Sequence, residues 1–167
     1  MSLFRLPLLL TLLTALLGAS CKPAPVSAPP SPAVLGALQR GINLAVWSAE
    51  TNLDDIHAAQ VNPDDADLSR IEALGLKHVR VSFDPAWLAD AQLKPQPQRL
   101  AELQRDLERL RAQGLFVVLS MQPASDFKQR LGREPGLVKD TAALWQRIAK
   151  ALKPMSPQQL AFELLNE

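Results

Sequence analysis

Strand-like and helix-like segments alternate along this chain at a spacing of roughly 40 residues. Short runs rich in apolar and β-branched residues begin near residues 42, 78, 115 and 160. Segments with apolar residues at helical spacing lie between these runs. Two parallel strands cannot be joined by a tight turn and need a longer crossover, which is usually a helix. The alternation therefore predicts an α/β fold with a parallel sheet and helical crossovers.

Three amphipathic helices are predicted between the strands. Their apolar faces comprise Leu68, Ile71 and Leu74 in the first, Leu100, Leu103, Leu107 and Leu110 in the second, and Leu144, Ile148 and Leu152 in the third. Asn62 is expected to cap the first helix, with Pro63 in its first turn. Gly75, Gly114 and Pro154 are expected to end the three helices.

The number of strand–helix units allows two architectures. An eight-stranded (β/α)8 barrel takes about 250 residues, whereas residues 37–167 supply three strand–helix units and a fourth strand. The chain could thus hold half of a barrel or a small open, doubly wound sheet. No glycine-rich phosphate loop follows the first strand, which argues against the open sheet.

Four stretches at the predicted strands resemble glycoside hydrolase family 5, the cellulase family. They are residues 40–44 (RGINL) with Trp47, residues 78–81 (HVRV), residues 114–119 (GLFVVL) and residues 162–167 (FELLNE), where the family reads Asn-Glu-Pro. The last stretch is the most specific, and the order and separation of all four strengthen the match. The resemblance implies a TIM-barrel fold of which only the first three βα units and strand 4 are present, so we expect a truncated portion of a longer enzyme.

The resemblance also implies roles for three residues. Glu167 would be the general acid/base, Asn166 would bind the sugar 2-hydroxyl, and Arg80 would hold the catalytic carboxylates by charge-assisted hydrogen bonds. Strand parity places Glu163 on the same side of the strand as Glu167, and Asn166 on the opposite side, from which it could still reach the cleft at the rim. A buried Glu163 requires a partner, either Arg80 or His78.

Other polar and aromatic residues near the strand ends could contact sugar. Residues 120–123 (SMQP) stand where the family commonly has a His near the end of its third strand, and Gln122 in this stretch could hydrogen-bond a sugar hydroxyl. Trp47 and Trp87 are either stacking platforms for sugar rings or core residues, and Asp84 and Asp126 are either sugar ligands or loop caps. The family's nucleophile is a Glu on the seventh strand, which this chain does not contain.

The first 36 residues predict export. Residues 1–20 have the short apolar core of a signal peptide, and Cys21 follows small residues as in the lipobox of bacterial lipoproteins. An ordinary cleavable signal with an incidental cysteine is the alternative. Residues 21–36 form a Pro/Ala-rich linker to the body at 37–167, and residues 22–34 are expected to form neither helix nor strand. A lipidated Cys21 would attach the exported protein to a membrane.

Composition excludes several classes of function. The 18 Lys and Arg residues include Arg5 in the leader, so the remaining 17 balance the 17 Asp and Glu residues and argue against nucleic-acid binding. Only one cysteine and two histidines are present, which disfavours a disulfide and a metal site. No cofactor is expected, since acid/base hydrolysis needs none.

We therefore expect a glycosidase that retains anomeric configuration and acts on a β-linked polysaccharide, with this portion inactive by itself. The alternatives are a non-catalytic carbohydrate-binding or surface lipoprotein on the same framework and, less well supported, an unrelated α/β binding domain.

Overall fold

Four strands and six helices follow one another in the computed structural model, which describes residues 29–44, 63–155 and 158–166. The strands are β1 (Gly41–Leu44), β2 (His78–Phe83), β3 (Phe116–Met121) and β4 (Leu160–Glu163). The helices are α1 (Pro32–Ala37), α2 (Asp65–Ala73), α3 (Pro85–Leu88), α4 (Pro97–Ala112), α5 (Ser125–Leu131) and α6 (Pro135–Ala151). All four predicted strands are present within about two residues of their predicted starts.

The strands form one parallel sheet in the order β1-β2-β3-β4. The register places Arg80 of β2 between Asn43 of β1 and Val118 of β3. It also places Ser120 of β3 beside Glu163 of β4. Each strand thus lies next to the strand that follows it in sequence, as in a TIM barrel, and the predicted fold class is confirmed.

The longer helices end where the sequence predicts. Gly75 and Gly114 follow α2 and α4 with φ angles of 67° and 75°, a backbone conformation that glycine adopts without a steric penalty. Helix α6 ends at Ala151, before Pro154. No helix within the described ranges is both long and apolar enough to cross a membrane.

The start of α2 differs from the prediction. Asp64 is the N-cap, because its carboxylate accepts a hydrogen bond from the backbone N–H of Asp67 at 2.8 Å. The side chain of Asp67 accepts in return from the backbone N–H of Asp64 at 3.3 Å. The helix therefore starts with a reciprocal capping box at Asp64, and the predicted cap, Asn62, lies outside the described residues.

Helix α1 corrects the expectation that residues 22–34 contain no helix. Pro32 stands in the first turn of α1, where its missing N–H has no intrahelical partner to lose. Ser31 caps the helix by accepting from the backbone N–H of Val34 at 3.3 Å, and its hydroxyl donates to Gln158 at 2.6 Å. The division of the chain into leader, linker and body stays a prediction.

The two faces of the sheet differ in chemistry. One face packs against the helices and is apolar and buried, with Val79, Val81 and Phe83 of β2 beside Val117, Leu119 and Met121 of β3. The helix stripes cover it, and the fully buried members are Leu103, Leu107, Leu110, Leu144 and Ile148. Leu74, predicted to lie on the apolar face of α2, is 63% exposed, because it is the C-cap residue that follows the last turn of the helix. The opposite face of the sheet carries the polar residues.

The outer strands of the sheet expose apolar side chains. Ile42 on β1 is 42% exposed and Phe162 on β4 is 39% exposed, both on the face that the helices cover elsewhere. Each of these strands pairs with only one neighbour in the described sheet, so that one edge of its backbone is unpaired. Such edges favour association with other chains.

Residues 37–167, expressed by themselves, are expected to associate through these edges. The substitution Phe162→Ser should lower the apparent mass in size-exclusion chromatography with light scattering, because it removes an apolar contact at the edge. Val138→Ser removes an exposed apolar side chain from α6 and should leave association unchanged. A monodisperse monomer with a sharp thermal transition for the unsubstituted fragment would contradict the expectation.

Candidate active site

Polar side chains gather on the open face of the sheet, at and beyond the carboxyl ends of the strands. Asn43, Arg80, Ser120 and Glu163 share this face by strand register, and Asn166 joins them from the segment after β4. We call these five residues the Arg80 cluster. The carboxyl ends of barrel strands are where barrel active sites form.

The Arg80 guanidinium is bonded to every other member of the cluster. Its Nε donates to Glu163 Oε2 at 2.6 Å, and its Nη2 lies 2.8 Å from Glu163 Oε1, which makes the ion pair bidentate. The same Nη2 lies 2.9 Å from Ser120 Oγ and 2.8 Å from Asn166 Oδ1. Nη1 donates to Asn43 Oδ1 at 3.2 Å. Because Nη2 has two N–H groups and three acceptors, one of its hydrogen bonds is shared.

The ion pair controls the protonation of Glu163. The hydrogen bonds from Arg80 lower the pKa of Glu163 below its ordinary value, and burial opposes this shift. The hydroxyl of Ser120, which is completely buried, also hydrogen-bonds the carboxylate and favours its charged form. Glu163 is therefore a fixed anion at neutral pH and not a proton donor.

The segment after β4 is held to the sheet by main-chain contacts. The backbone N–H of Asn166 donates to the carbonyl of Met121 at 2.9 Å. The indole N–H of Trp145 on α6 donates to the carbonyl of Leu164 at 2.9 Å. These contacts fix the backbone immediately before Glu167, and they place the side chain of Asn166 within reach of Arg80.

Two predicted site residues, Arg80 and Asn166, are brought together. The partner of Glu163 is Arg80 and not His78, whose Nδ1 lies 3.1 Å from the carbonyl of Ala37. Gln122 is exposed just beyond β3, and its backbone N–H donates to Phe83 at 2.8 Å. Glu167, Trp47 and Cys21 lie outside the described residues.

The structure decides between the two alternatives for Trp87: it is a core residue, and its interpretation as a sugar-stacking platform is corrected. Trp87 is 3% exposed and belongs to the hydrophobic core, since the short helix α3 turns its side chain inward. The guanidinium of Arg99 lies over its ring, 5.3 Å from the centroid. A ring with this burial has no free face for a sugar to stack on.

The two aspartates at the strand ends differ, since of the two only Asp84 caps a helix with its side chain. Asp84 caps α3 by accepting from the backbone N–H of Ala86 at 2.8 Å, as expected for a loop cap. Asp126 is exposed in the first turn of α5. Both line an open cavity of about 350 Å³ between the β2–α4 loop and α5, to which Phe127 and Arg130 also contribute.

Asn43 and Ser120 are cluster members that the sequence reasoning missed as site residues. Asn43 lies within the quoted RGINL stretch, and its place in an alternating strand was a usable signal. Ser120 could have been found only with the register of β3 against β4. Among the described residues, no group of three His, Cys, Asp or Glu side chains could hold a metal ion.

Comparison with known proteins gives matches at the level of structure. No protein-family model matches the chain, and no curated protein sequence does so significantly. Cel5A of Thermotoga maritima, solved with cellobiose, matches with a TM-score of 0.65 and 23% identity over 80% of this chain. The cellulose synthase subunit Z of Clostridioides difficile matches with a TM-score of 0.60 and 23% identity over 77%. A xyloglucan-specific endo-β-1,4-glucanase from a metagenomic library, XEG5A, solved with cellotriose, matches with a TM-score of 0.64 and 19% identity over 80%.

The chain has the fold of part of a glycoside hydrolase family 5 barrel. It covers 42%, 40% and 43% of the lengths of these three structures, respectively. The four-stranded sheet thus corresponds to a portion of a barrel, and the Arg80 cluster lies on the face of this sheet opposite the buried apolar face.

The substitution Glu163→Gln is expected to remove a pH-dependent part of the stability. The pKa of Glu163 in the folded protein is lowered, so the ion pair stabilises the fold fully above the unfolded-state pKa of about 4.3. This contribution is lost as pH falls through the lower folded-state pKa. Thermal melts at decreasing acidic pH should show a smaller loss of Tm in the variant than in the wild type.

Glu134→Gln is the matched control for this measurement. Glu134 also pairs with an arginine, Arg130, and its pKa is also lowered, but both side chains are about half exposed. Solvent screens such a pair, so its removal should change the acid profile little. Parallel acid profiles for the wild type and Glu163→Gln would contradict the assignment.

Proposed function

We propose that this chain carries the acid/base portion of a retaining glycoside hydrolase that cleaves β-linked polysaccharide. The observation that supports this most is the Arg80 cluster, in which Arg80 binds Asn166 immediately before Glu167. The cluster lies at the strand ends of a partial hydrolase barrel, where a reacting sugar would be expected.

In the proposed reaction, Glu167 delivers the proton that the leaving group needs. Its carboxylic acid protonates the glycosidic oxygen while the bond to the anomeric carbon breaks. A second carboxylate, from a strand beyond the four of this sheet, bonds to that carbon and forms a glycosyl-enzyme intermediate. Glu167, now a carboxylate, then takes a proton from water as that water bonds to the anomeric carbon and displaces the second carboxylate, which releases the sugar. The activity therefore belongs to a protein that holds the whole barrel.

The substrate class is proposed from chemistry and from the structural neighbours. Two of these neighbours were solved in complex with a sugar, one with cellobiose and the other with cellotriose. The side-chain amide of Asn166 can hydrogen-bond a sugar hydroxyl, and Gln122, an exposed residue just beyond β3, carries a second amide that can do the same. A soluble β-1,4-glucan is the first substrate to test.

In a protein that holds the complete barrel, Glu167→Gln is expected to lower kcat on carboxymethyl cellulose by about 10²- to 10⁴-fold, the usual contribution of a general acid/base. The thermal transition should be unchanged, because the substitution preserves shape. Glu108→Gln, at an exposed position on α4, is the control and should retain wild-type activity. Near-normal turnover by Glu167→Gln would refute the acid/base role and favour the non-catalytic carbohydrate-binding alternative.

We also propose that the protein is exported and held at a membrane by lipid on Cys21. The proposal is supported by the apolar leader and by the small residues that precede this cysteine. Cys21→Ser should move the protein from the membrane fraction to the soluble fraction and abolish labelling with a radioactive fatty acid. Unchanged fractionation and no labelling of the wild type would show that the leader is an ordinary signal peptide.

A further inference from the structure

Glu163 fixes the position of the Arg80 guanidinium within the cluster. Its carboxylate binds Nε and Nη2 of Arg80 at 2.6 and 2.8 Å, which grips one edge of the planar group. The hydroxyl of Ser120 adds a third contact to the guanidinium, since Oγ lies 2.9 Å from Nη2. Ser120 lies near the end of β3 and is completely buried. A guanidinium held in this bidentate way cannot rotate about the Cδ–Nε bond of Arg80 without losing both ionic hydrogen bonds.

The fixed guanidinium in turn determines which end of the Asn166 amide is available. Arg80 has only donors, so the contact of 2.8 Å between its Nη2 and Asn166 must be made by the amide oxygen. The NH2 group of Asn166 is then the end left for another partner. An amide held in this way presents a donor, and not an acceptor, to a bound ligand.

We infer that Glu163 is a positioning residue which, through Arg80, orients the Asn166 amide as the donor to the sugar 2-hydroxyl oxygen. The inference rests on the proposed function. It identifies the hydrogen bond, from the NH2 group of Asn166 to the 2-hydroxyl oxygen, through which this hydroxyl would affect the rate. Hydrogen bonds to the 2-hydroxyl strengthen in the transition state of glycoside cleavage. Loss of the orientation should therefore reduce kcat more than it raises KM.

The substitution Glu163→Gln isolates this role. The glutamine oxygen can still accept from one nitrogen of Arg80, but its NH2 group faces the second Arg80 donor, so the guanidinium must shift. The Asn166 amide then loses its fixed donor orientation while the backbone contacts of Asn166 and Leu164 remain. Glu134→Gln is the control, since it breaks a two-bond Arg–Glu pair of the same type on the surface, at 3.0 and 3.1 Å.

The test compares two substrates in a protein that holds the complete barrel, an aryl β-cellobioside and its analogue lacking the 2-hydroxyl on the reacting sugar. Glu163→Gln should lower kcat on the hydroxylated substrate by about 10- to 100-fold, a typical penalty for a misplaced reacting group. It should change kcat on the 2-deoxy analogue by less than about threefold, because that substrate has no hydroxyl for the amide to bind. Glu134→Gln should behave as the wild type on both.

An equal loss on both substrates would show a purely structural role and overturn the inference. If Glu163→Gln fails to fold, Ser120→Ala takes its place, since it removes one contact to Arg80 and one to the carboxylate. It should give a smaller loss that is still confined to the hydroxylated substrate, and an equal loss would again overturn the inference.

A separate measurement distinguishes failure of the inference from failure of the proposed function. Should the wild type hydrolyse neither substrate, the proposed function fails. A crystal structure of Glu163→Gln then decides the positioning role: displacement of Arg80 from the 2.8 Å contact with Asn166 supports it. An undisturbed contact overturns it.

Discussion

The charge-assisted pair between Arg80 and Glu163 is the interaction on which the polar face of the sheet depends. The two side chains are 22% and 33% exposed, so each has given up much of its hydration and needs the other. Removing one partner would leave a half-buried charge beside a completely buried serine. Asn43, Ser120 and Asn166 accept further hydrogen bonds from the guanidinium of Arg80.

This cluster is compatible with a stable sheet because one face of the sheet packs against the helices and the other face holds the polar residues. The helix-covered face is formed by completely buried apolar residues of β2 and β3 and packs on the stripes of α4 and α6. Parallel strands are usually apolar on both faces. The alternation of β2, in which Arg80 and Ser82 separate Val79, Val81 and Phe83, marks a sheet with a polar interior face. Stability and chemistry thus come from opposite sides of the same strands.

Several features of the fold and site were predictable because they follow from local periodicity. The helix stripe at Leu103, Leu107 and Leu110 and the glycines at positions 75 and 114 predicted real helices and their ends. Trp87 was not predictable, since an aromatic residue after a strand suits a sugar platform and a core position equally well. The short helix α3 decided this, because it buries the ring against the core and beneath Arg99. Helix α1 is not predictable in the same way, because the prolines among residues 22–34 argue against a helix, although Pro32 stands where a helix tolerates one.

The sequence by itself determined the order of the elements, the parallel arrangement and the side of each strand on which a residue lies, because spacing of two or 3.6 residues is a local property. The tertiary structure decided that Glu163 binds Arg80, that Ser120 and Asn43 complete the cluster, and that Asn166 contacts Arg80 through its oxygen. These partners are 37 to 86 residues from Arg80 in the chain. Only the register of four strands and the segment after β4 brings them within hydrogen-bonding distance of one guanidinium.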